Sequence, residues 1–186
     1  CIDSDVNFVL QEKQLGTGHA VMCASDLIRK NHGTTLILYG DSPLIKSETL
    51  RSLISYHENN GFHGTVLTTE YDDPTGYGRI IRDSRGNVEK IVEQKDATDE
   101  EKKISECNSG IYCFETEKLL DALKHVKNNN AQGEYYLTDV IGVMKGLNLT
   151  IGAYSISDST EVVGINSRIQ LADAESIMRR NILNKL

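Results

Sequence analysis

Short apolar runs in this chain alternate with stretches of helical spacing, and that alternation predicts its elements. Val6-Asn7-Phe8-Val9-Leu10 reads as a short strand over 5–10. Leu15-Gly16-Thr17-Gly18 leads into a helix over 18–30, with Val21, Ala24, Leu27 and Ile28 at helical spacing. Thr34-Thr35-Leu36-Ile37-Leu38-Tyr39 is a compact β-branched run suited to burial on both faces, as in an interior strand of a parallel sheet. Ser47 caps a helix over 47–58 that carries Leu50, Leu53 and Ile54, and Gly64–Thr69 is the next strand. Strands and helices in alternation predict an α/β domain with a mostly parallel sheet.

The middle departs from that rhythm. Arg79–Arg82 and Val88–Glu93 flank Asp83-Ser84-Arg85-Gly86-Asn87, which is a hairpin signal. A short polar helix opens at Thr98, followed by a strand over 109–114 and a helix over 116–126. Residues 134–145 read as helix, 151–156 as strand and 167–185 as an amphipathic helix. There is no internal repeat and no interdomain linker. The reading is one α/β domain over 1–186 with an inserted β-hairpin.

Composition narrows the function. A chain of 186 residues buries one good core, and 39% hydrophobic with 25% charged residues is ordinary for a soluble protein. A net charge of −7 argues against nucleic acid or an anionic membrane as partner. Cys1, Cys23, Cys107 and Cys113 form no CxxC pair and no metal spacing, which fits free, mostly buried thiols in a reducing cytoplasm. Asn148-Leu149-Thr150 matches a glycosylation acceptor by chance, given no signal peptide, and no apolar run reaches transmembrane length. The chain opens on Cys1 and enters strand-like sequence at once, so the expectation is a chain without its true N-terminus.

Several segments carry candidate chemistry. Asp41 follows a buried strand and Gly40, where one carboxylate can hold Mg²⁺ with phosphate and water; it can equally cap the turn before Pro43. Asn166 can supply a neutral oxygen ligand or cap the last helix. The turn Gln14–Ala20 offers amides to an anion or a flat base, while His19 reads as a structural helix residue. Asp73–Arg79, with Gly76 and Gly78 around Tyr77, can approach a ligand or simply lead into the hairpin. Asn128–Asp139 is a turn cluster followed by Glu134, Tyr135, Tyr136, Thr138 and Asp139; it suits a polyhydroxylated ligand or a plain connection between helices.

In this order, Gln11…Gln14-Leu-Gly-Thr-Gly-His-Ala, Leu38-Tyr-Gly-Asp-Ser-Pro-Leu, Asp72-Asp-Pro-Thr-Gly-Tyr-Gly-Arg, Ile91-Val-Glu-Gln-Lys-Asp-Ala-Thr, Asn108-Ser-Gly-Ile, Asn128–Asp139 and Gly164-Ile-Asn-Ser-Arg resemble the uridyltransferase domain of bacterial N-acetylglucosamine-1-phosphate uridyltransferases, bifunctional proteins that also carry an acetyltransferase domain. The resemblance spans essentially the whole chain. It implies a Rossmann-like nucleotide-diphospho-sugar transferase fold, cytoplasmic location, and transfer of uridylyl from UTP to N-acetylglucosamine 1-phosphate. The products would be UDP-N-acetylglucosamine, a cell-wall precursor, and pyrophosphate. It also implies roles: Gln11, Gly16 and Thr17 at uracil; Tyr39 and Gly40 near nucleotide and sugar; Asp41 and Asn166 on Mg²⁺. Gly78, Glu93, Asn108, Tyr136 and Thr138 would surround the sugar and its phosphate, with the asparagine run shaping the turn that presents the last two.

The chain departs from the family in lacking the opening glycine-rich loop with its Arg and Lys, and the acetyltransferase domain on which trimerisation of the parent mainly depends. The resemblance therefore implies a partial domain, weak or inactive alone. Two rivals stand beside it: a pyrophosphorylase for another sugar phosphate or nucleotide, and a fragment that binds UDP-sugar without turnover or is purely structural.

Overall fold

A computed structural model describes residues 6–183 of the chain. Its elements run α1 (Thr17–Cys23), α2 (Ser25–Ile28), β1 (Thr34–Ile37), α3 (Ser47–Asn59), β2 (Gly64–Glu70), β3 (Arg79–Arg82) and β4 (Val88–Val92). They continue through a 3₁₀ turn (Glu101–Lys103), β5 (Glu106–Glu115), α4 (Thr116–Leu123), α5 (Asp139–Gly146), β6 (Ile151–Ile156), a second 3₁₀ turn (Ser159–Val162) and α6 (Arg168–Leu183).

The sheet has the order β4-β3-β5-β2-β6, with β1 also paired to β5. Strand period sorts the core. Val66, Tyr112 and Phe114 point to one face, where α4 and α5 bring Leu119, Leu123, Val140, Ile141 and Met144. Leu67, Ile111 and Cys113 point to the other, against Leu53 of α3.

The middle of β5 positions the cleft described below. On one edge, β5 lies along β2. On the other, β1 takes Tyr112–Glu115 and β3 takes Cys107, so Asn108–Ile111 pair with neither. A bulge between Val66 and Thr68 faces the same stretch. The Ser109 hydroxyl donates to the Leu67 carbonyl at 2.7 Å and accepts from the Ile111 amide at 3.2 Å, satisfying groups that the bulge frees.

The α/β class and the inserted hairpin match the sequence reading; the sheet polarity and several boundaries do not. Among the described residues four pairings are antiparallel and only β2 with β6 is parallel. The long strand β5 is the reason, since it runs against β1, β2 and β3. β1 is half-buried throughout instead of being enclosed on both faces. Residue 5 of the expected first strand lies outside the described residues, and 6–10 pair with no strand among the described ones, with Phe8 78% exposed and Leu10 80%. The helix expected over 18–30 breaks at Ala24, beside the Ser25 hydroxyl that donates to the Val21 carbonyl. Helical structure begins at Asp139 rather than 134, because the backbone of Tyr135 bonds to the turn at Leu15–Gly18.

Candidate active site

Beyond the carboxyl end of β1, a cleft of about 390 Å³ opens over the stretch of β5 that neither β1 nor β3 covers. Tyr39, Asp41, Gly78, Glu93, Asn108 and Asn166, six of the predicted site residues, line it together. Gly110 shapes its floor: at φ +81, a Cβ there would stand 2.5 Å from Cδ2 of Tyr39. A bare glycine is what lets the Tyr39 ring lie on the strand. Burial holds the Tyr39 phenol above its ordinary pKa, with the Thr17 hydroxyl working against it and the charge of Glu93 adding to it.

Asp41 and Asn166 converge although 125 residues apart. The Ile165 amide donates to the Asp41 carbonyl at 2.9 Å and draws the two loops together. A Cβ on Gly164 would stand 3.1 Å from Asp41 Oδ2 and 3.4 Å from Asn166 Nδ2. Behind them, Glu161 is 6% exposed and accepts from Lys46 Nζ at 3.0 Å and from the Thr49 hydroxyl at 2.5 Å. Lys46 also donates to Asp158 at 2.8 Å, and these two carboxylates raise its pKa to about 12. Asp41 Oδ1 is buried with no hydrogen-bond partner among the described residues. A buried carboxylate oxygen without a donor is costly, and a hard cation satisfies it. The residues present fit Mg²⁺.

The remaining predicted residues, Gly40 apart, form a second unit. Gly18 N–H donates to the Tyr135 carbonyl at 2.8 Å, Tyr135 N–H to the Leu15 carbonyl at 2.8 Å, and Leu137 N–H to the Thr17 hydroxyl at 3.0 Å. Gly16, at φ +108, would place a Cβ 2.6 Å from the Tyr135 carbonyl oxygen, so the glycine turn packs directly on the Asn128–Asp139 loop. Gln11 Nε2 donates to the Gly16 carbonyl at 3.1 Å and lies 2.9 Å from His19 Nδ1. Within the loop, Asn130 accepts from the Gln132 and Glu134 amides at 3.2 and 3.1 Å and donates to the Glu134 carbonyl at 2.6 Å. The asparagine thus builds the turn. Tyr136 is 6% exposed, its phenol accepting from Gln132 at 2.9 Å.

A bond from Thr138 joins the two units, beside the contact of the Thr17 hydroxyl with the Tyr39 phenol. Thr138 donates to Glu93 Oε1 at 3.0 Å, and Glu93 lines both the cleft and a neighbouring pocket that holds Tyr136 and Thr138. Burial lifts the Glu93 carboxyl above its ordinary pKa, the Thr138 hydroxyl opposes this, and Asp96 adds to it. Gly40 carries the chain between Tyr39 and Asp41 without lining the cleft, and Gln11, Gly16 and Thr17 line neither cavity. Thr75, Tyr77, Ser109, Gly110 and Gln170 also line the cleft; the first four lie inside the segments Asp73–Arg79 and Asn108–Ile111 without a role of their own, and Gln170 lies in neither.

Among the residues lining the cleft, two are carboxylates and none is Lys or Arg. Such a surface suits hydroxyls, amides and a cation better than bare phosphate. The sequence pattern described as Nucleotidyl transferase matches residues 2–148. The chain belongs to the nucleotidyl transferase family. It is 52% identical to a bifunctional protein GlmU of Clostridium tetani over 177 residues, which cover 95% of this chain and 39% of that protein. Against bifunctional proteins GlmU of Clostridioides difficile and Streptococcus mutans it is 54% and 50% identical, covering 96% and 97% of this chain and 39% of each relative. The chain thus spans about two fifths of the length of these relatives. A crystal structure of UDP-glucose pyrophosphorylase complexed with UDP-glucose shares the fold, with a TM-score of 0.63 at 20% identity over 81% of this chain and 58% of that one. No helix among the described residues is long and apolar enough to cross a membrane.

Proposed function

We propose that this nucleotidyl transferase chain is the sugar-facing part of an enzyme that transfers uridylyl from UTP to N-acetylglucosamine 1-phosphate, releasing pyrophosphate. The observation that carries this is the meeting of Asp41 and Asn166 over Gly164, in a cleft that Glu93, Asn108 and Gly78 also line. Identities of 50–54% to bifunctional GlmU proteins support the choice of sugar and nucleotide.

Asp41 and Asn166 would hold Mg²⁺, which when bound neutralises phosphate charge beside the two carboxylates. Glu93 accepts from sugar hydroxyls, and Asn108 can donate and accept. The Asn108 side chain is oriented for this by its Oδ1, which accepts from the Gly110 amide at 3.1 Å. Gln11, with Gly16 and Thr17, faces the uracil in this reading. The attacking group, a phosphate oxygen of the sugar phosphate, is already anionic, so the chain needs to position it rather than deprotonate it. A pyrophosphate-release assay with UTP or dTTP and the 1-phosphates of N-acetylglucosamine, glucose and galactosamine tests the proposal. Release that is fastest with another pair would replace it by a pyrophosphorylase of different choice.

A second reading, UDP-sugar binding without turnover, draws on the lack of any Lys or Arg among the cleft-lining residues. Tight binding of UDP-N-acetylglucosamine with no pyrophosphate release would favour it.

A further inference from the structure

Arg79 opens β3 directly behind the cleft wall and is 1% exposed. A buried guanidinium normally finds a carboxylate. This one donates to three neutral carbonyl oxygens: that of Tyr77, Gln94 Oε1 at 2.7 Å and that of Lys102 at 3.5 Å. Its Nε has no partner among the described residues. The Gly76 amide donates to the same Gln94 Oε1, at 3.3 Å. Two bonds therefore hold the backbone of the loop that lines the cleft, one at the Gly76 N–H and one at the Tyr77 carbonyl.

The rest of the loop is fixed from its outer side. Thr75 N–H donates to Asp73 Oδ1 at 3.1 Å, Tyr77 N–H to the Pro74 carbonyl at 3.2 Å, and the Tyr77 ring stacks on Tyr71 with centroids 4.4 Å apart. The Gly78 carbonyl accepts from the Asn108 amide at 2.9 Å. Among the described residues, the Gly78 N–H has no hydrogen-bond partner. A Cβ on Gly78 would stand 3.4 Å from Glu93 Oε2 and 3.5 Å from the Asn108 Cβ, so Gly78 lies beside the two side chains assigned to the sugar.

We propose that Arg79 and Gln94 are positioning residues: their clamp on Gly76 and Tyr77 sets the cleft wall so that the Gly78 amide, with Glu93 and Asn108, meets the sugar end of the ligand. The inference rests on the sugar-nucleotide reading above. The planar guanidinium bonds the Tyr77 carbonyl and Gln94 at once, a geometry a lysine cannot reproduce.

Gln94→Leu removes the shared acceptor without touching a cleft-lining side chain, and Gln94→Glu keeps it. In the 186-residue chain, amide hydrogen exchange at Gly76 and calorimetry with UDP-N-acetylglucosamine and with UTP read the result. In Gln94→Leu, exchange at Gly76 rises at least about ten-fold and affinity for UDP-N-acetylglucosamine falls about ten-fold, with UTP affinity changed by less than about two-fold. Gln94→Glu restores both readouts. Faster exchange with unchanged sugar-nucleotide affinity overturns the positioning role. Equal losses for both ligands together with a lowered melting temperature reduce the clamp to a structural element and overturn it as well. Unchanged Gly76 exchange refutes the clamp itself, whatever binds. Failure of the unsubstituted chain to bind UDP-N-acetylglucosamine, while Gly76 exchange still responds, defeats the sugar reading instead, and the positioning role falls with it.

Discussion

Thr138 donates its hydroxyl to Glu93 Oε1 at 3.0 Å across 45 residues of sequence, and this bond couples the asparagine-rich loop to the cleft. It gives the Asn128–Asp139 segment its place in the site. The loop's backbone is committed to the Leu15–Gly18 turn, and its side chain at 138 orients the main acceptor of the cleft.

Replacing Thr138 with Val keeps the shape and deletes the donor. Glu93 is then left buried with one bond fewer, at a cost of about 1–3 kcal/mol. Thermal unfolding should show that loss, and calorimetry should show weaker UDP-N-acetylglucosamine binding. A Val variant with parental stability and affinity would mean the bond orients nothing.

Asp139 starts α5, and burial, followed by the charges of Glu93 and Asp96, lifts its carboxyl to about 6. A folded-state pKa above the unfolded value means the folded chain holds the proton more tightly. Its contribution to stability is therefore fully present below the unfolded value of 3.8 and is lost as pH rises through about 6. Asp139→Asn should flatten the fall in stability across that window and stabilise the chain at pH 7 by at most about 1 kcal/mol, once solvent screening of this half-exposed group and the lost helix-terminus interaction are allowed for. Urea unfolding at pH 4, 5, 6 and 7 reads both; an unchanged slope contradicts the burial.

Gly110 lies under the Tyr39 ring at positive φ. Alanine there must strain the backbone and push the ring off β5, costing roughly 1–3 kcal/mol. Fluorescence of the displaced tyrosine and a lower melting temperature are the expected signs, together with weakened ligand binding. A Gly110→Ala chain with unaltered ligand affinity would show that Tyr39 is not held for the ligand.

Lys46 ties the loop after β1 to the second 3₁₀ turn through Asp158 and Glu161. Lys46→Met leaves Glu161 buried without its cation and loosens the approach of Asp41 to Asn166. The Mg²⁺ concentration needed for half-maximal UDP-N-acetylglucosamine binding should rise about ten-fold, an affinity loss of about 1.4 kcal/mol. An unchanged Mg²⁺ requirement would separate this ion pair from the metal site.

Much of this site was legible in the sequence because turns and glycines announce themselves locally. Gly16, Gly78 and Gly110 all sat in motifs, and each proves to be a point of close approach. The hairpin was equally plain from Asp83–Asn87, where Asp83 Oδ1 accepts from the Arg85 and Asn87 amides at 2.9 Å. Strand polarity was not legible. Thr34–Tyr39 looks the same beside a parallel or an antiparallel neighbour, and its partner Tyr112–Glu115 lies some 80 residues away. Nor could spacing reveal that Arg79 lacks a carboxylate or that Ser109 fills a bulge, since both depend on chain brought together from elsewhere. Helix spacing over 134–138 misled because backbone bonds to Leu15–Gly18 outweigh local propensity there.

The central claim is that Asp41 and Asn166 hold Mg²⁺ for a uridine-diphosphate sugar. Calorimetry of UDP-N-acetylglucosamine binding, with and without Mg²⁺, to the chain and to Asp41→Ala is the most direct measurement. The account predicts Mg²⁺-dependent binding that Asp41→Ala weakens at least about ten-fold, to the level seen without metal, in a protein of unchanged melting temperature. Equal Mg²⁺-dependent affinity in the two proteins would contradict it.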